Sequence, residues 1–291
     1  HSPRTSHREP HQHEFGSPTK KVETVAVLGA GLMGAGIAQV SAEKGYRVLL
    51  KDKDNAGISN GEAYIEGNWQ KKVKRRTMPA HKFHSNMSSI VPLTDDVESW
   101  PKHFQNADMV IEAVFEDIDL KHRVVKEMEA VIRDDCVFAT NTSAIPIGRI
   151  AEASSRPENV VGMHYFSPVP QMPLLEIIPH AGTGKTAIAA ACDVGTKQGK
   201  TCIAVKDVPG FYVNRCLGPF LVEVSALARD GVSLELLDKS MTNFGMPVGP
   251  VTLADEVGID VSHKVAKFLS EADLGVRMGG GDISLMSEMV E

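Results

Sequence analysis

This chain of 291 residues has no paired cysteines, no long apolar run and no excess of positive charge. Its four cysteines, Cys136, Cys192, Cys202 and Cys216, are scattered without a Cys-x-x-Cys spacing. That argues against a disulfide framework and for four structural free thiols in a reducing compartment. No apolar run approaches the ~20 residues that a membrane-spanning helix needs. A formal net charge of −6 argues against general affinity for nucleic acid or an anionic membrane. At 42% hydrophobic and 23% charged residues, this is an ordinary globular composition, with length for two domains or one large one. Residues 1–19, with three prolines, four histidines and no periodicity, read as a disordered tail or linker outside the fold. His11 and His13 could take up metal adventitiously, and no metal site is expected elsewhere.

The strongest local pattern spans residues 22–52 around Gly29-Ala30-Gly31-Leu32-Met33-Gly34. Val25-Ala26-Val27-Leu28 before it suits a buried parallel strand. Ala35, Ile37, Ala38, Val40 and Ala42 after it suit a small-residue helix lying close to a sheet. A second strand follows from Tyr46 and ends at Asp52. Gly29 permits the tight turn, Gly31 admits a pyrophosphate to the backbone, and Gly34 lets helix and strand approach. The N–H groups of the helix start face such a phosphate. Asp52 follows Gly34 by 18 positions, near the spacing of a carboxylate that holds the ribose hydroxyls. Strand, glycine turn, helix, strand and acid in this order point to a dinucleotide site. A carboxylate at Asp52 selects NAD by repelling the extra phosphate of NADP.

A long helix is expected from Asp54 to about Arg76, with Ile58, Tyr64, Ile65, Trp69 and Val73 as inward positions. It ends in the basic cluster Lys71-Lys72-Val73-Lys74-Arg75-Arg76, which suits either a solvated face or an anionic ligand tail. Further strands are expected at 108–114 and 136–140 with a helix between them through about Ile132. This alternation predicts a doubly wound, Rossmann-type parallel sheet. Ligands of such sheets bind beyond the carboxyl ends of the strands, which puts Glu112 or Glu116, and Asn141-Thr142-Ser143, on the rim with the glycine turn. Gly182-Thr183-Gly184-Lys185-Thr186 ends like a phosphate-binding loop, but Pro179 stands where its first glycine is required, so a turn and helix start are expected. From about residue 207 onward only helices are expected, with Gly231 as a stop and Ser233, Asp260 and Asp282 as N-caps. The domains expected are 20–206 and a smaller helical 207–291.

Residues 160–178 hold Pro168, Pro170 and Pro173 between two strand-like flanks, so the chain can double back and bring Glu176 beside His164. A histidine held by a carboxylate is a usual general base, because the anion orients the ring and stabilises its charged form. On these residues alone, a structural histidine satisfied by any neighbour fits equally well.

The stretches GAGLMGAGIAQ, IEAVFE, NTSAIP, GMHYFSPVPQMPLLEII and KDVPGFYVNR stand in the order and spacing of the L-3-hydroxyacyl-CoA dehydrogenase family. The chain resembles that family from about Lys20 to its end, most of all the dehydrogenase portion of alpha subunits of the mitochondrial trifunctional type. The resemblance implies that His164 is the general base and Glu176 its partner, and that Ser143 and Asn214 contact substrate. Gly29, Gly31, Leu32, Met33, Gly34 and Asp52 would form the NAD fingerprint, with Glu116 and Lys121 as further cofactor contacts. Asn68 and Arg75 fall near the family's CoA-contacting positions, which would give the basic cluster phosphates to hold. Two features depart from the pattern. Ser167 stands where the family often has Asn, and the chain ends at Glu291, before a GRKxGxGFY-like segment. A longer parent protein is therefore expected, and the hydratase half of a trifunctional subunit is absent from this stretch.

The reaction expected is NAD-dependent oxidation of L-3-hydroxyacyl-CoA to 3-ketoacyl-CoA in fatty-acid β-oxidation, with His164 as base. The alternatives are a dehydrogenase of a small 3-hydroxy acid and a non-catalytic, crystallin-like relative. Partners expected are the acyl-CoA substrate, other β-oxidation domains or subunits and a second copy of the chain, with no nucleic acid. The location expected is mitochondrial, with peroxisomal as the alternative.

Overall fold

A computed structural model describes residues 20–259. The expected tail over 1–19 and the expected caps Asp260 and Asp282 lie outside them. The order is β1 (Thr24–Leu28), α1 (Leu32–Glu43), β2 (Arg47–Asp52), α2 (Asn55–Lys74), α3 (Ala80–Ser88), β3 (Ile90–Thr94), α4 (Trp100–Phe104), β4 (Met109–Glu112) and α5 (Ile118–Glu129). There follow β5 (Val137–Thr140), α6 (Ile147–Ala151), β6 (Val160–Tyr165), β7 (Leu174–Ile178), α7 (Lys185–Lys197) and β8 (Thr201–Ala204). The last described elements are helices only: α8 (Val213–Arg229), α9 (Leu234–Phe244) and α10 (Pro250–Val257).

The strands form one eight-stranded sheet in the order β3-β2-β1-β4-β5-β6-β7-β8. Every pairing is parallel except β6 with β7. Helical crossovers force parallel pairing, whereas a short connection cannot reverse the chain twice and gives an antiparallel neighbour. The short link 166–173 with its prolines is that connection, so β7 and β8 run against the other six strands. This is the doubly wound sheet expected, with a reversed pair at one end. Its strand order turns back between β1 and β4, the place where such sheets form a ligand crevice.

The sheet is buried on both faces, and β1, β4 and β5 are apolar for almost their whole length. Ile58, Ile65 and Trp69 pin α2 to the core, with Tyr64 and Val73 half-buried. Pro92 lies in β3, the edge strand, where a missing N–H costs the ladder least. Asp54 and Ser233 cap α2 and α9 by accepting from Gly57 N–H and Leu236 N–H. Gly184 is the N-cap of α7, so the residues around it are a turn and helix start.

The chain divides into two compact units, the first ending at Asp207 and the second beginning at Val208. Asp207 stays with the first unit, where its carboxylate accepts from Ile147 N–H at 2.7 Å and Gly148 N–H at 2.8 Å. α8 opens the region expected to hold only helices, and Gly231, the expected stop, follows it with a φ of +90°. Among the described residues no helix is long and apolar enough to cross a membrane. Cys136, Cys192 and Cys202 are buried, and Cys216 is exposed.

Candidate active site

The glycine turn leaves the end of β1 and enters α1. Gly29 has a φ of +91°, and a β-carbon there would come within 2.7 Å of the Ala113 carbonyl oxygen. At Gly34 a β-carbon would come within 1.8 Å of the Gly29 carbonyl oxygen, so this crossing of helix and turn tolerates no side chain. At Gly31 a β-carbon would meet nothing within 4 Å. The open space lies at the helix start, and no side chain caps α1 there. Backbone N–H groups and a helix dipole facing an open pocket are what a pyrophosphate requires. These residues therefore fit a dinucleotide.

Asp52 ends β2, and its carboxylate accepts from Ala30 N–H at 2.6 Å, so the acid expected to meet a ribose also braces the turn. Leu32 is 55% exposed and Met33 half-buried at the same lip.

Glu112 and Glu116 divide the rim between them. Glu112 is the last residue of β4 and wholly buried, accepting from Lys121 Nζ at 2.8 and 3.0 Å, Thr140 Oγ1 at 2.7 Å and Val114 N–H at 2.8 Å. Glu116 lies higher, with Oε1 accepting from Thr142 Oγ1 at 2.5 Å and from the N–H groups of Ser143 at 2.9 Å and Ala144 at 3.1 Å. Burial pushes the Glu116 carboxyl up. The Lys121 charge and the donors of 142–144 outweigh it and hold the group below its usual range. Lys121, expected at the cofactor, is only 1% exposed, with its ammonium between Glu112 and Glu116, the latter at 3.3 Å. Breaking such a buried pair leaves an uncompensated charge, a loss of about 3–5 kcal/mol.

His164 and Glu176 are direct cross-strand partners on β6 and β7. The ring Nδ1 lies 2.7 Å from Oε2 of Glu176, and both residues are buried. While the carboxylate is ionised the ring donates from Nδ1, which leaves Nε2 as the basic nitrogen of the neutral imidazole. The Phe166 ring packs on the imidazole with centroids 4.5 Å apart. Asn141 Oδ1 accepts from Tyr165 N–H at 2.8 Å, tying the end of β5 to the residue beside His164.

The turn with Asp52, the Glu116–Ser143 loop and the His164–Glu176 pair thus share one sheet, and the first two share its carboxyl rim. Asn214 stands in the first turn of α8, in the second unit. Asn68 is half-buried and donates from Nδ2 to Gln39 Oε1 at 3.0 Å, so it joins α2 to α1. Arg75 is exposed just past the end of α2, beside Lys74 and Arg76. Lys72 of that cluster pairs with Glu43 at 2.6 Å. Among the described residues no group of three or more His, Cys, Asp or Glu is placed to hold a metal ion. Lys200 and Gln198, which meet the 166–173 loop and the residue before it, carry no sequence signal, because nothing at a fixed offset marks them.

Residues 24–208 match the 3-hydroxyacyl-CoA dehydrogenase NAD binding domain, and residues 210–291 match that family's C-terminal domain. The fatty acid oxidation complex subunit alpha of Shewanella sp. (strain MR-7) is 47% identical over 264 residues, 90% of this chain. The chain spans 36% of the length of that relative, and the same figures hold for the Shewanella oneidensis subunit. Among solved structures, M. tuberculosis FadB2 superposes with a TM-score of 0.86 at 31% identity, covering 93% of this chain and 94% of that one. The (S)-3-hydroxybutyryl-CoA dehydrogenase PaaH1 of Ralstonia eutropha gives 0.84 at 33% identity, covering 93% and 94%. The Shewanella relatives are bacterial, and bacteria have neither mitochondria nor peroxisomes. The expected organelle location is corrected on that ground.

Proposed function

The chain belongs to the 3-hydroxyacyl-CoA dehydrogenase family, and on that premise we propose that it oxidises L-3-hydroxyacyl-CoA to 3-ketoacyl-CoA in fatty-acid β-oxidation. The observation that carries this reading is the 2.7 Å contact between His164 Nδ1 and Glu176 Oε2 in a sheet whose other motif is the dinucleotide turn. The substrate hydroxyl gives its proton to Nε2 of His164 while the C3–H bond breaks and the C3–O double bond forms. NAD, when bound, supplies the hydride acceptor. Glu176 orients the ring and stabilises the imidazolium that the proton creates.

Gly29, Gly31, Leu32, Met33 and Gly34 would hold the pyrophosphate and Asp52 the ribose. Glu116 shapes the loop that presents Ser143 to substrate, and Lys121 acts through Glu116 by fixing its charge. Asn214 is the second substrate contact. Lys74 and Arg75 take the CoA phosphates, whereas Asn68 serves the helix packing beneath them. The name of the Shewanella relatives as subunits of a complex supports work alongside other β-oxidation domains or subunits.

The test is to mix the protein with NADH and acetoacetyl-CoA and follow the loss of NADH absorbance, with His164→Ala in parallel. Turnover by the unmodified chain and its loss in His164→Ala, at unchanged NADH affinity, is the expected result. Equal reduction of free acetoacetate removes CoA from the reading, and near-normal turnover by His164→Ala removes the base.

A further inference from the structure

The loop 166–173 carries the chain from His164 to Glu176, and it is held from two sides. On one side Val169, 2% exposed, lies against Gly36 in α1. A β-carbon at Gly36 would come within 2.8 Å of Val169 Cβ and 3.1 Å of its Cγ2. On the other side Lys200, 6% exposed, donates from Nζ to the carbonyl oxygens of Val169 and, at 2.8 Å, of Met172. Two residues earlier Gln198, 4% exposed, accepts from Tyr165 Oη at 2.7 Å and donates to Ser41 Oγ at 2.8 Å. Ser41 in turn donates to the Ile37 carbonyl at 2.7 Å, so this chain of bonds ends in α1.

These side chains are costly ones to bury. An ammonium set against neutral carbonyls loses its water shell without the return that a carboxylate gives. Burial accordingly pushes Lys200 below the usual lysine range. An apolar pair would fill the same space at less cost, but it would leave the Val169 and Met172 carbonyls unpaired and the Tyr165 hydroxyl without an acceptor. What the polar pair adds is direction. It fixes the residue after His164, the loop after that, and α1, to one turn at residues 198–200, where Gly199 has a φ of +88°.

We propose that Lys200 and Gln198 are positioning residues, a clamp that holds the His164–Glu176 hairpin at a set distance from the helix bearing the dinucleotide turn. The clamp thereby sets the geometry between the group that takes the proton and the place where hydride is accepted. It rests on the dehydrogenase reading above, and it touches neither substrate nor cofactor itself.

The test compares Lys200→Met, Gly36→Ala and the double variant with the unmodified chain, using NADH and acetoacetyl-CoA. Both changes disturb one loop from opposite sides. In Lys200→Met, kcat should fall on the order of 10²-fold, the scale of an ångström-size misplacement. The NADH Kd and the KM for acetoacetyl-CoA should stay close to their original values, a split that a general loss of packing does not produce. The double variant should lose less than the product of the two single losses, because coupled sites are not additive. Should Lys200→Met fail to fold, Lys200→Gln, whose amide still reaches one carbonyl, is measured in its place. Unchanged kcat in a folded variant, or losses that multiply, overturns the clamp alone. An unmodified chain that reduces no 3-ketoacyl-CoA overturns the clamp and the dehydrogenase reading together.

Discussion

Glu176 and Glu116 are both carboxylates set against a basic side chain, and their partners separate their work. Glu176 faces the His164 imidazole across a strand pair, so its charge acts directly on that ring. Glu176→Gln keeps the shape but can no longer favour a positively charged ring. The rate should fall on the order of 10²-fold or more, the scale of positioned acid–base catalysis, with little change in NADH affinity. Steady-state kinetics beside an NADH titration checks this. Glu116 instead faces Lys121 and the donors of 142–144, which hold its carboxyl below the ordinary value of 4.5. A group with a depressed folded value adds stability above its unfolded pKa and loses it as pH falls through the folded one. Its side chain is 35% exposed, so solvent weakens the contribution. Glu116→Gln should therefore cost about 1.5 kcal/mol at pH 7. The gap to the unmodified chain should close as pH falls below about 4. Urea unfolding at pH 7 and near pH 3 measures both, and a gap that persists in acid would assign the anchor to shape rather than charge.

The elements differ in how openly the sequence announces them. The dinucleotide turn is legible because its parts stand at fixed offsets, and the glycines do what their spacing implies. The opposition of His164 and Glu176 is legible because three prolines leave the chain little choice but to fold back. Residues 77–107 offer no such sign. They contain α3, the edge strand β3 with Pro92, and the short α4, where periodicity is weak and tertiary contacts decide the outcome. The bonds of Lys200 to the 166–173 loop are hidden for a different reason. They depend on which distant segments meet, and no local rule pairs residue 200 with residue 169. Helix α2 stands between these cases, since its amphipathic pattern marks Trp69 as inward but not the Glu43 carboxylate that accepts from its indole N–H at 2.5 Å. Trp69 is fully buried and meets Phe83 edge-on at 6.5 Å. Trp69→Ala should cost about 3–5 kcal/mol, read from chemical denaturation by circular dichroism. A loss much below that would mean that α2 collapses onto the vacancy.

On the scale of the whole molecule, the proposed reading asks a chain with a net charge of −6 to bind two ligands that carry phosphates. Its overall field opposes them, and ions screen that field within ~8 Å at physiological ionic strength. Binding must therefore be won locally. For the dinucleotide the backbone does this, with N–H groups at the start of α1 and no formal charge at all. For the proposed CoA contact, the basic end of α2 is a local source of positive charge. Lys72 is engaged by Glu43, which leaves Lys71, Lys74, Arg75 and Arg76 exposed there. Reversing Lys74 and Arg75 to glutamate removes two attractions and adds two repulsions. Exposed ion pairs are weak, at about 0.2–1 kcal/mol each. The KM for acetoacetyl-CoA should accordingly rise about tenfold, with kcat nearly intact because the contact is the same in ground and transition states. An acetoacetyl thioester without the nucleotide has no phosphates to lose, and its KM should stay where it was. Added salt should shrink the difference between the variant and the original for acetoacetyl-CoA and leave the short thioester unmoved. If both substrates respond alike, the cluster is a solvated helix end and CoA is held elsewhere.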